Sequence, residues 1–281
     1  TNMKKMISLL LVLSMVFAMA ACGADSDPKQ TTSAETTGPA ATQTEDASTN
    51  PATRVVVDRY GREVEIPYEV DTIVCLGSGA PRIAAYLGVT DMMVGAEDCD
   101  RDPVNVRRDY SWVYHDELKD LPAVGSGGGS GQNNAYPEQI IELQPDVILA
   151  GFTVESADEL QGQTGIPVVC VTYSSINFVD ESFYTATRVF AEVVGAQERC
   201  EELLSFIDDC KADLTARTSG YADADKPSCY TGAVTFSGRH GFTGTYSNFG
   251  PFLAVGAKNV ADGGEKVNYF ETDFEQVLVW N

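Results

Sequence analysis

The chain of 281 residues carries 41 acidic and 19 basic side chains, which gives a formal net charge of −22 at pH 7. Proteins that bind nucleic acids depend on Lys and Arg contacts to phosphate, so this acidity argues against a nucleic-acid partner. The length that follows the first polar tract, about 230 residues, suits two modest domains or one domain and part of another.

The N-terminal residues have the pattern of a secretory signal peptide. A short basic start, MKK at 3–5, precedes an almost wholly apolar stretch at 6–21 and then Cys22. The stretch is too short for a comfortable membrane-spanning helix. MAAC, which ends at Cys22, resembles the bacterial lipobox, although most such motifs have Leu where Met19 stands. The pattern predicts a signal peptide over 1–21 and lipidation of Cys22; the alternative is an ordinary secretory signal with a chance cysteine.

Residues 22–53 form a polar tract of Thr, Ser, Ala, Asp, Glu, Pro and Gln with almost no large apolar side chain. Such a composition cannot bury enough surface to offset the entropy lost on ordering. We therefore expect a disordered tether between a lipid anchor and a folded domain. Removal of residues 1–21 would leave 17 basic and 41 acidic side chains, a net charge of −24.

Residues 54–177 alternate short apolar strands with short helices. RVVVDRYGREVEIP at 54–67 predicts a hairpin. The strands predicted after it are 72–77, 92–97, 147–151 and 166–173, and the predicted helices are 82–89, 136–144 and 156–165. This alternation favours a parallel sheet with helices on both faces, and ligands bind beyond the carboxyl ends of such strands. We expect 98–123 to be irregular and 123–134 to be a glycine-rich loop without a phosphate-binding pattern.

Residues 178–217 differ, because they contain two amphipathic helical patterns separated by Gly195. The second pattern, about 21 residues, predicts a helix roughly 30 Å long. A new strand is expected at 229–236, where the α/β alternation starts again. One stiff helix between two α/β units limits hinge motion, so the units should close only slightly on a ligand.

The predicted fold class is α/β, with two Rossmann-like lobes on parallel sheets joined by a long backbone helix. We place the N-terminal lobe at 54–177, the helical linker at 178–218 and the C-terminal lobe at 219–281. The final FEQVLVWN stops within an amphipathic pattern, so the second lobe is expected to be truncated. YPEQIIELQPD (136–146) and DFEQVLVWN (273–281) also form a weak repeat, with Glu-Gln at the start of an apolar helix.

Six cysteines follow Cys22, without a C-x-x-C pair or a zinc-ligand spacing. They are Cys75, Cys99, Cys170, Cys200, Cys210 and Cys229. We expect buried free thiols, with one disulfide involving Cys99 or Cys229 as the alternative.

The order of these motifs resembles that of one family. DRYGREVEIP, DTIVCLGSGAPRIAAYLGVTDMMVGAE, YPEQIIELQPDVILAG, TGIPVVCV, a helical span and GPFLAVGAKNVAD follow one another over 54–281. This arrangement is similar to the substrate-binding lipoproteins of ABC importers for iron–siderophore, haem and cobalamin. The resemblance implies two α/β lobes on one backbone helix, a ligand in the shallow cleft between them, and a further stretch that completes the second lobe.

The same resemblance implies contacts with a membrane permease. In the family, one glutamate at each lobe tip pairs with permease arginines, and the matching positions are Glu138 in YPEQII and Glu275 in DFEQVL. Exposed carboxylates on opposite lobes can dock by paired charge. The alternative is that both are first-turn acids favoured by the helix dipole.

Candidate ligand-binding residues are those that the sheet rule places at the cleft. Arg82 lies in the first turn after the first sheet strand, and Arg239 and His240 follow the first strand of the second lobe. The full set is Arg82, Trp112, Arg239, His240, Phe242 and Tyr246. Such side chains suit an anionic, partly aromatic ligand. His115 is a weaker candidate, and a solvated Arg82 or core-filling aromatic residues are the alternatives. We expect no protein metal ligand, and direct metal ligation by His240 is the alternative.

The predicted function is capture of a metal chelate of the ferric-siderophore, haem or cobalamin type and its delivery to an ABC permease. A bare oxyanion such as molybdate or tungstate, clamped by Arg82 and Arg239, is the alternative. A chelatase-like enzyme or a permease-independent sensor fits less well, because no catalytic triad and no H-E-x-x-H motif is present. We expect no cofactor, a monomer, and a lipid-anchored location on the outer face of a bacterial cell membrane.

Overall fold

A computed structural model describes residues 52–77, 79–101, 108–127, 133–173, 180–234, 240–264 and 268–280. The chain divides into a unit of residues 1–48, which lies outside these ranges, and a unit of residues 49–281. The predictions for the signal peptide, Cys22, most of the tether and Arg239 fall outside the described residues.

The described chain begins with a β-hairpin of β1 (Thr53–Val57) and β2 (Glu63–Pro67), which pair antiparallel. Buried and exposed residues alternate along β2, so one face of the hairpin packs inward. The Asp58 carboxylate accepts hydrogen bonds from two turn amides and pairs with Arg62 Nη1 at 2.8 Å. Gly61 supplies the φ of 82° that the turn requires. The predicted hairpin is confirmed.

Four parallel strands form a sheet in the order β4-β3-β5-β6. They are β3 (Ile73–Leu76), β4 (Met93–Gly95), β5 (Val147–Ala150) and β6 (Val168–Cys170). Every residue of β3, β5 and β6 is buried, as a parallel sheet covered on both faces requires. The predicted parallel α/β sheet is confirmed, and the loops after its strands meet at one carboxyl edge. We call residues 53–173 the sheet region.

The described residues of the sheet region form six α-helices and a 3₁₀ turn at Thr90–Met92. The α-helices are α1 (Ala80–Leu87), α2 (Asp98–Arg101), α3 (Asp109–Val113), α4 (His115–Leu118), α5 (Pro137–Leu143) and α6 (Val154–Thr164). The predictions of α1, α5 and α6 are confirmed. The prediction that 98–123 is irregular is wrong, because α2, α3 and α4 lie there. Helices of four or five residues make about one turn, which is too short to show an apolar period.

Two longer helices follow the sheet, α7 (Glu181–Val194) and α8 (Gln197–Thr218). Gly195 ends α7 with a φ of 74°, which confirms the predicted break. α7 buries eight residues against the core that contains α1 and one face of the sheet, whereas α8 buries only Cys200 and Leu204. With 22 residues, α8 is about 33 Å long, close to the predicted length.

The C-terminal region (residues 228–280) is built from short elements. β7 (Ser228–Cys229) pairs parallel with β9 (Lys258–Asn259), β8 (Gly244–Tyr246) pairs antiparallel with β10 (Tyr269–Glu271), and the helices are α9 (Gly250–Ala254) and α10 (Phe274–Val279). The prediction of a strand at 229–236 is wrong for residues 230–234, which do not belong to a β-strand. Ala233 takes a φ of 57°, which an extended strand does not allow.

The six cysteines after Cys22 are all free, and Cys75, Cys170 and Cys200 are buried. This agrees with the expected free thiols. Within the described ranges, none of the helices combines the length and the apolar character that a membrane span requires.

Candidate functional site

Arg82 lies at the carboxyl edge of the parallel sheet, in the first turn of α1. Its Nη1 is 3.0 Å from the hydroxyl of Tyr173, which follows β6. Its Nε donates to Oδ1 of Asp109, the first residue of α3, at 3.1 Å. The guanidinium carbon also lies 5.6 Å from the centre of the Tyr110 ring. Three elements of the sheet region are thus joined around this one guanidinium.

Asp109 accepts a hydrogen bond from the Tyr86 hydroxyl as well as from Arg82. Burial alone would raise the pKa of the Asp109 carboxyl, but these two hydrogen bonds and the Arg82 charge hold it below its usual range. Burial also opposes the charge of Arg82, yet Tyr173 and Asp109 keep the pKa of Arg82 above its ordinary value. Both groups are therefore ionised at neutral pH, and a carboxylate compensates the charge of Arg82.

A buried acidic cluster follows β4. Glu97 accepts a hydrogen bond from the Gly77 N–H at 3.0 Å, which ties the loop after β4 to the loop after β3. Burial raises the pKa of Glu97 to about 7. The ligand atoms of Glu97, Cys99 and Asp100 lie within 4.8 Å of one another. Arg108 Nη1, however, is 2.8 Å from Cys99 Sγ and 2.5 Å from Asp100 Oδ1. A guanidinium already supplies the positive charge, so the cluster is an ion-paired network.

His240 is held by the pairing of β8 with β10. Its Nδ1 lies 2.6 Å from Glu271 Oε1, and the Thr243 hydroxyl donates to Glu271 Oε2 at 2.9 Å. The hydrogen bonds from Thr243 and His240 hold the pKa of Glu271 below its usual range. Gly244 lies opposite Glu271 in the ladder, and a Cβ there would come within 2.3 Å of the His240 Cβ. Glycine at 244 therefore leaves the space that the His240 side chain occupies.

Aromatic side chains form an exposed stack two residues beyond His240. The rings of Phe242 and Phe274 are 5.8 Å apart and nearly parallel, at 12°. These residues are 49% and 61% exposed. Tyr230 packs against Phe242 at 5.2 Å and donates its hydroxyl to the Phe242 carbonyl. Tyr246, by contrast, is buried in β8, so its side chain packs within the C-terminal region.

The other predicted contacts differ in exposure. Trp112 lies on α3 and is 60% exposed. His115 begins α4 and is half-buried, and its buried Nδ1 has no hydrogen-bond partner among the described residues. Arg239 lies outside those residues. The structure thus brings Arg82 close to Tyr110 and the start of α3, and His240 close to the rings of the C-terminal region.

Glu138 and Glu275 occupy equivalent positions in two helices. Each is an exposed residue of a first helical turn, Glu138 in α5 and Glu275 in α10. The α10 helix is capped by Asp273, whose carboxylate accepts a hydrogen bond from the Gln276 N–H at 2.7 Å. The weak repeat in the sequence therefore corresponds to two helix starts that each present a carboxylate to solvent.

The sequence does not predict the carboxylate partners of the two candidate cations. Asp109 falls in the stretch expected to be irregular, and Glu271 falls in a strand of three residues. Asp109 is 27 positions from Arg82, and Glu271 is 31 positions from His240. No local sequence pattern signals contacts over such separations.

The model of the periplasmic binding protein family matches residues 73–281. The chain belongs to this family. Periplasmic binding proteins are extracytoplasmic solute-binding proteins of ABC transport, and they are not enzymes. The family resemblance predicted from the motifs is confirmed at this level. No curated protein gives a significant match to this periplasmic binding protein.

Solved structures share its fold at low sequence identity. A periplasmic solute binding protein from Veillonella parvula is 18% identical, with a TM-score of 0.61 over 81% of this chain and 66% of that one. The Haemophilus influenzae molybdate periplasmic binding protein MolA, bound to molybdate, is 20% identical, with a TM-score of 0.58 over 81% and 71%. The heme binding protein HmuT is 18% identical, with a TM-score of 0.53 over 88% and 75%. The chain thus spans 66% of the length of the Veillonella protein.

Proposed function

We propose that this periplasmic binding protein captures a metal chelate of the ferric-siderophore, haem or cobalamin type and delivers it to an ABC permease. Family membership supports a solute-binding role. The observation that favours a chelate is the exposed pair of Phe242 and Phe274, which begins two residues beyond His240. A large, partly aromatic ligand gains from stacking on ring faces, whereas a bare oxyanion is bound by N–H donors and gains little from an apolar surface.

The proposed contacts come from both regions. They are Arg82 and Trp112 in the sheet region and Arg239, His240 and Phe242 towards the C-terminus; Tyr246 is buried in β8 and is not among them. In this proposal, charged groups bind ligand oxygens while the aromatic rings cover the organic part of the ligand. α8 links the two regions, and the ligand lies in the cleft that the family resemblance implies.

A bare oxyanion such as molybdate or tungstate is the second candidate. MolA, which shares the fold, is bound to molybdate in its solved structure. Arg82 and Arg239 could together clamp a small anion. The ion pair between Arg82 and Asp109 weighs against this candidate, because an anion at Arg82 would share the guanidinium with a carboxylate.

Delivery would use the two exposed glutamates. We propose that Glu138 and Glu275 pair with arginines of the permease and so align the two regions on the membrane protein. Lipidation of Cys22 would anchor the protein to the outer face of the cell membrane, with residues 22–53 as the tether. We further propose that it acts as a monomer without a cofactor.

The ligand class is tested by titration with a ferric siderophore, haem, cobalamin and molybdate. Native mass spectrometry measures stoichiometry, and quenching of the two tryptophans, Trp112 and Trp280, measures affinity. We expect one of the chelates to bind 1:1 with a Kd below about 1 µM, a free energy of about −8 kcal/mol. Absence of binding to all three chelates would refute the proposal.

Two sets of variants test the proposed contacts. Phe242→Ala should weaken chelate binding about tenfold through loss of the stacked face. Phe206→Ala is the control, because Phe206 is also an exposed phenylalanine but lies on α8, outside the proposed contacts. Glu138→Ala combined with Glu275→Ala should weaken binding to the cognate permease in nanodiscs, with Glu159→Ala as the control. Permease binding that is unchanged in the double variant would remove the docking proposal.

A further inference from the structure

We infer that Asp109 and Glu271 are specificity-determining residues, which mask the guanidinium of Arg82 and the imidazole of His240 and thereby disfavour a compact oxyanion relative to a metal chelate. The inference rests on the proposed function, because it takes Arg82 and His240 as ligand contacts. The supporting observation is that a half-exposed carboxylate pairs with a basic side chain in each of two regions with different architecture.

In the sheet region, Asp109 competes with any ligand for Arg82. The Asp109 carboxylate lies 3.1 Å from Arg82 Nε, and the two side chains are 52% and 29% exposed. A ligand that reaches this edge therefore meets the ion pair rather than the guanidinium alone. The Tyr86 hydroxyl donates to the other carboxylate oxygen and holds it in place. A guanidinium keeps its charge at all ordinary pH values, so the charge that the ligand meets depends on Asp109.

In the C-terminal region, Glu271 has the same relation to His240. Its carboxylate is 52% exposed, the same fraction as that of Asp109, and lies 2.6 Å from Nδ1 of the imidazole. Thr243 fixes the second oxygen, and the β8–β10 register places Glu271 opposite Gly244. The missing side chain at Gly244 is what lets His240 lie against this strand pair. The position of the Glu271 carboxylate beside His240 is therefore set by the pairing of β8 with β10 and by the hydrogen bond from Thr243.

A compact oxyanion and a chelate respond differently to these pairs. A dianion such as molybdate concentrates its charge within a few atoms, so at Arg82 or His240 it lies close to Asp109 or Glu271. Like charges brought together oppose binding. A chelate spreads its contacts over a larger surface and can use the rings of the C-terminal region. The net charge of −22 acts in the same direction, because it lowers the local concentration of free anions.

Isothermal titration calorimetry of the full chain with sodium molybdate tests the masking directly. Asp109→Asn keeps the size of the side chain and an acceptor oxygen but removes the charge, and we expect molybdate to bind about tenfold more tightly. Adding Arg82→Gln to Asp109→Asn should abolish this gain, because the gain acts through the guanidinium. Asp116→Asn is the matched control, since it removes an exposed carboxylate of α4 that pairs with Lys119.

Glu271→Gln is an independent second variant. We expect a smaller gain in molybdate affinity, about threefold, because an imidazole carries a positive charge only when it is protonated, whereas a guanidinium is always charged. Both gains should shrink when NaCl is raised from about 0.1 M to about 1 M, as a charge effect requires. Loss of a merely structural contact would lower the thermal unfolding temperature without this dependence on salt. Circular dichroism establishes which variants are folded.

The outcomes separate this inference from the proposed function. The masking inference is wrong if Asp109→Asn and Glu271→Gln are folded and bind molybdate no more tightly than the wild type. If Asp109→Asn does not fold, the molybdate affinity of Glu271→Gln alone tests the inference. If no chelate binds but Asp109→Asn gains molybdate affinity through Arg82, the proposed ligand is wrong and the masking stands. If a chelate binds and neither variant gains, only the masking is wrong.

Discussion

The sheet region and the C-terminal region differ in how completely they bury their apolar residues. In the sheet region, every residue of β3, β5 and β6 is buried, and helices cover both faces. In the C-terminal region, the longest described strand has three residues, and α10 buries none of its own. Burial of apolar surface is the main stabilising contribution. We therefore expect stability to reside in the sheet region, while both regions contribute to the proposed site.

Leu149→Ala is expected to have the largest effect. Leu149 is fully buried in β5, so its truncation loses apolar contacts and leaves a cavity, which should lower the free energy of unfolding by about 3 kcal/mol. Leu278→Ala in α10 is the matched control, because Leu278 is 76% exposed, and it should cost less than about 0.5 kcal/mol. Urea unfolding followed by circular dichroism measures both. Equal losses of unfolding free energy in the two variants would show that the two regions do not differ in their contribution to stability.

Glu97→Gln tests a buried charge in the sheet region. Burial raises the pKa of Glu97 from 4.5 to about 7, so the folded protein holds a proton that the unfolded chain releases. The contribution of Glu97 to the free energy of unfolding therefore falls as pH rises from about 4.5 to about 7, and it stays low above that. Relative to the wild type, the variant should gain on the order of 2 kcal/mol between pH 5 and pH 8. Glu159→Gln, at an exposed position of α6, should show no such gain.

Asp58→Asn tests how the hairpin is tied to the sheet. Asp58 is buried, pairs with Arg62 and accepts a hydrogen bond from the Cys170 N–H of β6 at 3.3 Å. Loss of its charge should lower the free energy of unfolding by about 1.5 kcal/mol. Asp158→Asn removes the other carboxylate of the same Arg62, at 2.7 Å, but that side chain is 59% exposed. It should cost less than about 0.5 kcal/mol, and a larger loss would contradict the role assigned to burial.

Gly244→Ala tests the placement of His240 through its effect on ligand binding. The added methyl group displaces the His240 side chain and its contact with Glu271. We expect about a tenfold loss of chelate affinity, measured by tryptophan quenching. Gly241→Ala is the control, because a Cβ at Gly241 meets no atom within 4 Å. Equal affinities in the two variants would show that the placement of His240 does not matter.

The elements of the sheet region are predictable because their signals are local. Apolar runs bounded by turn residues predict β3, β5 and β6, and glycines at positive φ mark the ends of α1, α6 and α7. The run CYTGAVTF carries the same apolar signal, yet only its first residue belongs to a strand within the described range. Its parallel partner β9 is two residues long, and Ala233 turns the chain away. Strand formation there depends on pairing partners, which an apolar run does not reveal.

The sequence predicts where Arg82 lies, but it does not predict which carboxylates pair with Arg82 and His240. The sheet rule places Arg82 at the carboxyl edge of the parallel sheet, and the structure confirms that location. The ligand-binding roles of Arg82, His240 and Phe242 stay predictions. The charge balance depends on contacts across 27 and 31 positions, which arise from the docking of α3 and from the register of β8 with β10. Only the folded chain brings these groups together.

The length of α8 determines the orientation of the C-terminal region that follows it. Its buried residues, Cys200 and Leu204, both lie in its first half, and Ile207 is the last of its residues that packs on that core. The second half of the helix is therefore anchored less firmly than the first. Each residue of an α-helix adds about 1.5 Å and turns the chain by about 100°. A one-residue insertion in the exposed half would therefore swing everything after it by more than a quarter turn. Seven residues, about two turns, would lengthen the connection by about 10 Å and nearly restore the original facing. Viable length changes in this helix should therefore come in steps close to whole turns.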